Sequence, residues 1–318
     1  MPVPMTTPKR HHYLPEFYLA GFTADGQRDS VFTVFDRDSN AFRPQTPKNT
    51  AVSRYYYAVD DAVTGEKSME VEAFLSSIEG EAEPVIRKLE RREAPTDHDR
   101  EVLALFCALL HTRVPQFDRS MQEMVNGAFQ ALGRRMATTL DEVRIQHEEF
   151  EARTGTTMDV TPEEDFELVR SGGYTVVEPR QNVIKTMLKM SGDLAEIFLN
   201  MRWGVPETPA RMSLIVTDAP LLLIPPRDWQ PGMRGFGIAT PGAHKMIPLS
   251  RSIALFIGDF GTGLDFLRLT KGQVRENNLA MASRCERFVI GSDEALVHSV
   301  VRRTQLEGSL RRPLLVVE

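Results

Sequence analysis

The 318-residue sequence is poor in cysteine: Cys107 and Cys285 stand alone, far apart, each inside an apolar segment. That scarcity argues against a disulfide framework or a paired-cysteine metal cage and leads us to expect two buried, reduced thiols. No run of about 18 apolar residues occurs, so no bilayer-spanning helix is expected. The opening MPVPMTTPKRHH has no apolar stretch behind its charges, so no secretory leader is expected and the cytoplasm is the expected compartment. Positive charge is also in short supply, with 38 Lys and Arg against 44 Asp and Glu and a net charge of −6. This argues against the broad positive field that draws proteins onto nucleic acid or anionic membranes. Several motifs are missing altogether: no phosphate loop of the GxxxxGKS or GxxxxGKT form, no GxGxxG after a strand, no HExxH, no paired CxxC and no GxSxG.

What is present is ordinary globular composition, 42% hydrophobic, in a chain long enough to bury a substantial core. Its periodicities predict an α+β fold in one domain, 1–318, with a small N-terminal β element (1–62), a helical region (63–205) and a mixed region of strands and helices (206–318). The expected arrangement has the β element and the C-terminal mixed sheet meeting across a central helical layer. VFTVFDRD at 31–38 and SRYYYAVD at 53–60 have strand character. From Val71 to Leu89 apolar residues recur at helical spacing through Pro84, where a kink is expected. Thr96 with Asp99 and Thr161 with Glu164 read as helix N-caps. One helix is expected from Phe117 to about residue 150. GDFGTG at 258–263 reads as a hairpin-like turn.

Chemistry concentrates in KRHHYLPEFYLAGF at 9–22, where two of the seven histidines stand side by side. Imidazole titrates near neutral pH and serves as acid, base or metal ligand. Adjacent side chains diverge, so His11 and His12 cannot readily share a metal, and at most one is catalytic with the other structural. Asp218, bracketed by apolar residues in LIVTDAPLLL, needs a cation, a metal, water or a turn to satisfy it. Arg113 closes an apolar helix in LLHTRVP, where it can neutralise Asp218, hold an anion or simply face the helix C-terminus. His111 reads as a core histidine. Glu72 and Glu79, seven residues apart, share a helix face and read first as a solvated stripe.

The run His11, His12, Tyr13, Pro15, Tyr18, Leu19, Phe22 resembles the opening of the DUF4238 family, whose members begin His-His-Tyr-x-Pro-x-x-Tyr-Leu-x-x-Phe. The resemblance continues through Asn49, Glu72, Glu79, Arg113, TDAP at 217–220, IPLS at 247–250 and Asn277 or Asn278. His111 and Ala219 depart from the pattern. The family carries position and implies no mechanism.

The expected site gathers His11 or His12, Tyr18, Arg113 and Asp218 into one pocket, a set suited to hydrolysis, with nuclease or phosphodiesterase chemistry foremost. Cofactor and metal dependence are left open. A local basic patch (Lys9, Arg10, Arg28, Arg37, Arg43, Lys48, Arg54) offers an anionic substrate or nucleic acid a place to bind. The alternative is a non-catalytic ligand-binding or protein-interaction module in which the HHY segment is a structural clasp. In that case the polar side chains are satisfied inside the protein.

Overall fold

The computed structural model describes residues 10–54, 57, 59–60, 67–68, 70–230 and 235–307. The first strands and helix are β1 (Arg10–His12), α1 (Glu16–Ala20), β2 (Phe32–Asp36), β3 (Ala41–Gln45), β4 (Val52–Arg54), β5 (Val59–Asp60) and β6 (Lys67–Ser68). The helical stretch follows: α2 (Glu70–Glu90), α3 (Asp97–Thr112), α4 (Pro115–Met136), α5 (Leu140–Thr154), α6 (Pro162–Ser171) and α7 (Arg180–Leu199). The remainder holds β7 (Met201–Glu207), β8 (Val216–Thr217), β9 (Leu222–Ile224), β10 (His244–Pro248), β11 (Ala254–Phe260), β12 (Leu264–Arg268), α8 (Lys271–Ala282), β13 (Phe288–Gly291) and α9 (Glu294–Glu307). The fold is α+β.

Of the N-terminal strands, β1 with β4 and β5 with β6 form two-stranded sheets of their own, whereas β2 and β3 join strands of the C-terminal region. The β2–β3 hairpin joins β13 and β8 in one antiparallel sheet of order β3-β2-β13-β8. A second sheet has the order β12-β7-β11-β10-β9, antiparallel except for the β12–β7 pair. A core of Phe35, Leu214, Ile215, Leu222, Met246, Phe256, Val289 and Val297, with the buried face of α8, joins side chains from both sheets. No separating helical layer is therefore needed to cover the apolar faces.

GDFGTG is likewise not a hairpin. β12 leaves it to pair with β7 in parallel rather than with β11, and Gly261 and Gly263 take φ of 147° and 115° to make the change of direction. LIVTDAPLLL breaks between β8 and β9, with Asp218 and Pro220 in the gap.

The chain divides into two compact units, 1–116 with 184–318, and 117–183. In the smaller unit the helix expected to run unbroken to about residue 150 stops at Met136. Thr139 and Glu142 form a reciprocal capping box that starts α5 afresh. A strap at 172–178 is fastened to the polar side of α4, where Gln122 binds Val176 O and the Glu178 amide, and Gln130 binds Tyr174 O. In the larger unit α2 runs continuously through Pro84, and α3 opens on the Thr96–Asp99 box and buries most of its length.

Candidate functional site

Strand alternation separates the two histidines. β1 pairs with β4, opposing His11 to Ser53 and His12 to Val52. His11 turns inward and is buried, whereas the half-buried His12 places Nε2 3.1 Å from the Lys48 carbonyl. His11 Nδ1 accepts the Tyr57 amide proton at 3.0 Å, and the two rings stack. In that bond Nδ1 is the acceptor.

The carboxylate nearest this ring comes from α2. Glu72 Oε2 lies 3.7 Å from His11 Nδ1, and Glu79, two turns along the same face, bonds Arg113 Nη1 at 2.7 Å. Arg113 is 1% exposed, and its Nε donates to the Tyr13 carbonyl at 2.9 Å. Burial opposes its charge, yet Glu79, with Tyr57 and Glu72 adding, carries its pKa above the ordinary value. Burial, with Glu79 adding, lifts the Glu72 carboxyl above the usual range, against the pull of Arg113. Two buried atoms of the cluster, Glu72 Oε2 and Arg113 Nη2, have no hydrogen-bond partner among the described residues.

Asp218 belongs to a different network. Its oxygens accept the backbone N–H groups of Glu286 (3.1 Å) and Arg287 (2.8 Å), and burial, outweighing those bonds, pushes its pKa up to about 6. Beside it, the buried Asp36 is held by Arg287 Nε and Nη2, both at 3.0 Å, and by Arg43 at 2.9 Å. The hydrogen bond from Arg287 draws the Asp36 pKa down. Tyr13 connects the clusters: its carbonyl serves Arg113, while its ring lies within electrostatic reach of Asp218, Arg287 and Asp36. Burial first, and then the Asp218 charge, raise its phenol pKa.

The side chains expected in one pocket have separate hydrogen-bond partners among the described residues. Arg113 takes Glu79 rather than Asp218 as its counterion, and α2, which carries Glu79, packs against α3. Tyr18 gives its hydroxyl to the Pro248 carbonyl at 2.6 Å, and burial raises its pKa. His111 is partly enclosed on α3, and burial lowers its pKa to about 4. In the basic patch Arg28 pairs with Glu83, Arg43 with Asp36, and Arg37 bonds the Cys285 carbonyl; Lys9 and the side chains of Arg10 and Arg54 lie outside the described residues. Cys107 and Cys285 are free and buried, and burial pushes the Cys285 thiol up to about 12.

Sequence reasoning passed over Asp36, although an acid in step with Phe32 and Val34 on a buried strand is itself a signal. It also undervalued Glu72 and Glu79. Among the described residues no group of three or more His, Cys, Asp or Glu is placed to hold a metal, and no helix is long and apolar enough to cross a membrane.

Beside α1 lies a cleft of about 770 Å3. Its walls include Phe17 and Tyr18 of α1, Arg28, Arg87 of α2, and Arg251 and Ser252 of the turn after β10. The motif segment and this turn hold each other directly, through Tyr18 to Pro248 O and through the Arg251 amide to Gly21 O at 2.9 Å.

These features define an α+β protein in which Arg113, at the end of α3, bonds both the Tyr13 carbonyl of the N-terminal segment and Glu79 of α2. The match of the DUF4238 family model, described as a protein of unknown function, spans residues 10–295. The chain belongs to that family. No curated protein and no solved structure matches it.

Proposed function

We propose that this chain is a ligand-binding module in which the HHY segment is a structural clasp and the adjoining cleft receives a ligand bearing an anionic group, phosphate or carboxylate. The observation that carries this reading is the Arg251 guanidinium. It borders the cleft on the turn that the clasp secures and, among the described residues, has no hydrogen bond or ion pair. Across the cleft Arg28 and Arg87 share one carboxylate, Glu83, while Asp25 is occupied by Thr23, Ser30 and the Gln27 amide. A bidentate anion fits the fork of an arginine that has no protein partner. The residues first expected to be catalytic are spoken for: His11, Tyr18, Arg113 and Asp218 all bond to backbone groups. Titration with pyrophosphate and with a short single-stranded oligonucleotide tests the reading. Saturable, salt-sensitive binding that Arg251→Ala weakens by about tenfold or more supports it. Binding unchanged in that variant, or none, overturns it.

A second reading, hydrolysis of a phosphodiester, is favoured by one feature. Glu72, with its raised pKa, sits beside His11 and Arg113, and two polar atoms of that cluster lack hydrogen-bond partners among the described residues. In that case Glu72 is the acid or base, Arg113 steadies the substrate anion, and Glu72→Gln abolishes turnover of a chromogenic phosphodiester while the fold persists. A protein that turns over no such substrate leaves the module reading in place.

A further inference from the structure

A second cavity, of about 670 Å3, lies against one face of the five-stranded sheet. Strand alternation brings Gly204 of β7 and Phe256 of β11 face to face in register, and Gly258 lies two residues further along β11. Glycine inside a strand packs no side chain and marks a bulge, a bend or a place where something else comes close to the backbone; β11 is bulged between Ile257 and Phe260, but Gly258 does not take the positive φ that would itself call for glycine. A Cβ built on Gly258 would touch only Phe256 Cε1 at 3.6 Å and Arg202 O at 3.7 Å, both ordinary contacts. Protein packing therefore does not require glycine there. One on Gly204 would press on Leu267 Cδ1 at 3.0 Å.

The polar equipment points away from an ionic ligand. Two arginines and three aspartates border the cavity, and Arg202 is already committed to Asp265 through Nε and Nη2 at 3.0 and 2.8 Å. Asp259 accepts the Gly242 amide and lies 3.4 Å from His244, whose ring meets Phe256 edge to face. Arg227 and Asp228, exposed on the rim, have no side-chain hydrogen bond or ion pair among the described residues. They present a donor fork and an acceptor side by side. Floor, ring wall and mixed rim suit a flat, uncharged molecule with donors and acceptors on its edge.

We propose that this cavity binds a planar nitrogen heterocycle of nucleobase type, its face on the glycine floor beside Phe256 and its edge toward Arg227 and Asp228. The site is separate from the anion cleft and does not depend on it.

Adenosine is the probe and ribose the control, in calorimetry on the full chain. Saturable binding of adenosine and none of ribose is expected. Gly258→Val, which fills the floor, lowers affinity by about tenfold or more. If Val disturbs folding, as judged by circular dichroism, the one added methyl of Gly258→Ala gives the same comparison in milder form. Arg251→Ala leaves adenosine binding unchanged, so failure of the anion reading does not count against this site. Absence of adenosine binding, or affinity unaltered in a folded Gly258 variant, overturns the proposal.

Discussion

On one side of Tyr13 a buried arginine draws two glutamates of α2 toward it; on the other a buried aspartate is met by backbone amides and a second by two arginines. In the Arg113 cluster both carboxylates stay about a quarter exposed, 29% for Glu72 and 26% for Glu79, and two buried atoms have no hydrogen-bond partner among the described residues. Around Asp36 and Asp218 all four carboxylate oxygens have donors. Satisfied hydrogen bonding is nevertheless different from neutralised charge. Asp36, facing guanidinium groups, has a lowered pKa, while Asp218, facing amides alone, has a raised one. Two carboxylates on one network thus respond to pH in opposite directions.

The severest test of the comparison removes Arg113. Arg113→Ala strands the Tyr13 carbonyl without its donor and leaves Glu72 and Glu79 facing one another with no cation between them. By analogy with broken buried ion pairs, unfolding in urea should become easier by about 3–5 kcal/mol. A loss below about 1 kcal/mol would mean that Arg113 waits for a ligand rather than closing the clasp.

Next in size is the pH dependence of stability. With its folded-state pKa raised from 3.8 to about 6, Asp218 holds its proton in the folded protein after the unfolded chain has released it. Its contribution to stability is therefore greatest below about pH 4 and declines as pH rises toward 6. At about 1.4 kcal/mol per pH unit the decline amounts to about 3 kcal/mol. Asp36 works the other way, its lowered pKa contributing stability above the ordinary carboxylate value that is lost on acidification. Urea unfolding at stepped pH, in wild type and Asp218→Asn, isolates the first effect. A wild-type curve parallel to that of the variant between pH 4 and 6 shows that the amides neutralise the charge after all.

Much of the local structure was legible. The α+β class, the caps Thr96 with Asp99 and Thr161 with Glu164, and the divergence of His11 from His12 depend on neighbours within a few residues, where periodicity and capping chemistry act. The same rule applied at Thr139 and Glu142 would have shown the break after α4. Sheet order was not legible. The pairing of β2 with β13 joins residues some 250 positions apart, and no local preference records it. The partners of the site residues were not legible for a related reason. Seven-residue spacing places Glu72 and Glu79 on one helix face, but whether that face meets water or Arg113 depends on how α2 packs against α3. Arg113 and Asp218 were each rightly read as needing a partner; opposite charge alone did not say which.

The smallest effect belongs to Glu72. Its Oε2 stands 3.7 Å from His11 Nδ1, a nitrogen already accepting the Tyr57 amide and so without a proton to give. The contact is therefore not a hydrogen bond, and burial works against the Glu72 charge. Glu72→Gln removes that charge while keeping the shape, and stability at neutral pH should change by no more than about 1 kcal/mol. The raised pKa adds a sign: wild-type stability drifts down as pH climbs from the ordinary glutamate value through the folded one, and the glutamine variant lacks that drift. A loss of several kcal/mol in Glu72→Gln would mean that the ionised carboxylate is an integral part of the clasp. The Arg113 cluster would then resemble its Asp36 counterpart, with charge answering charge, and Glu72 would no longer be free to exchange a proton with a substrate.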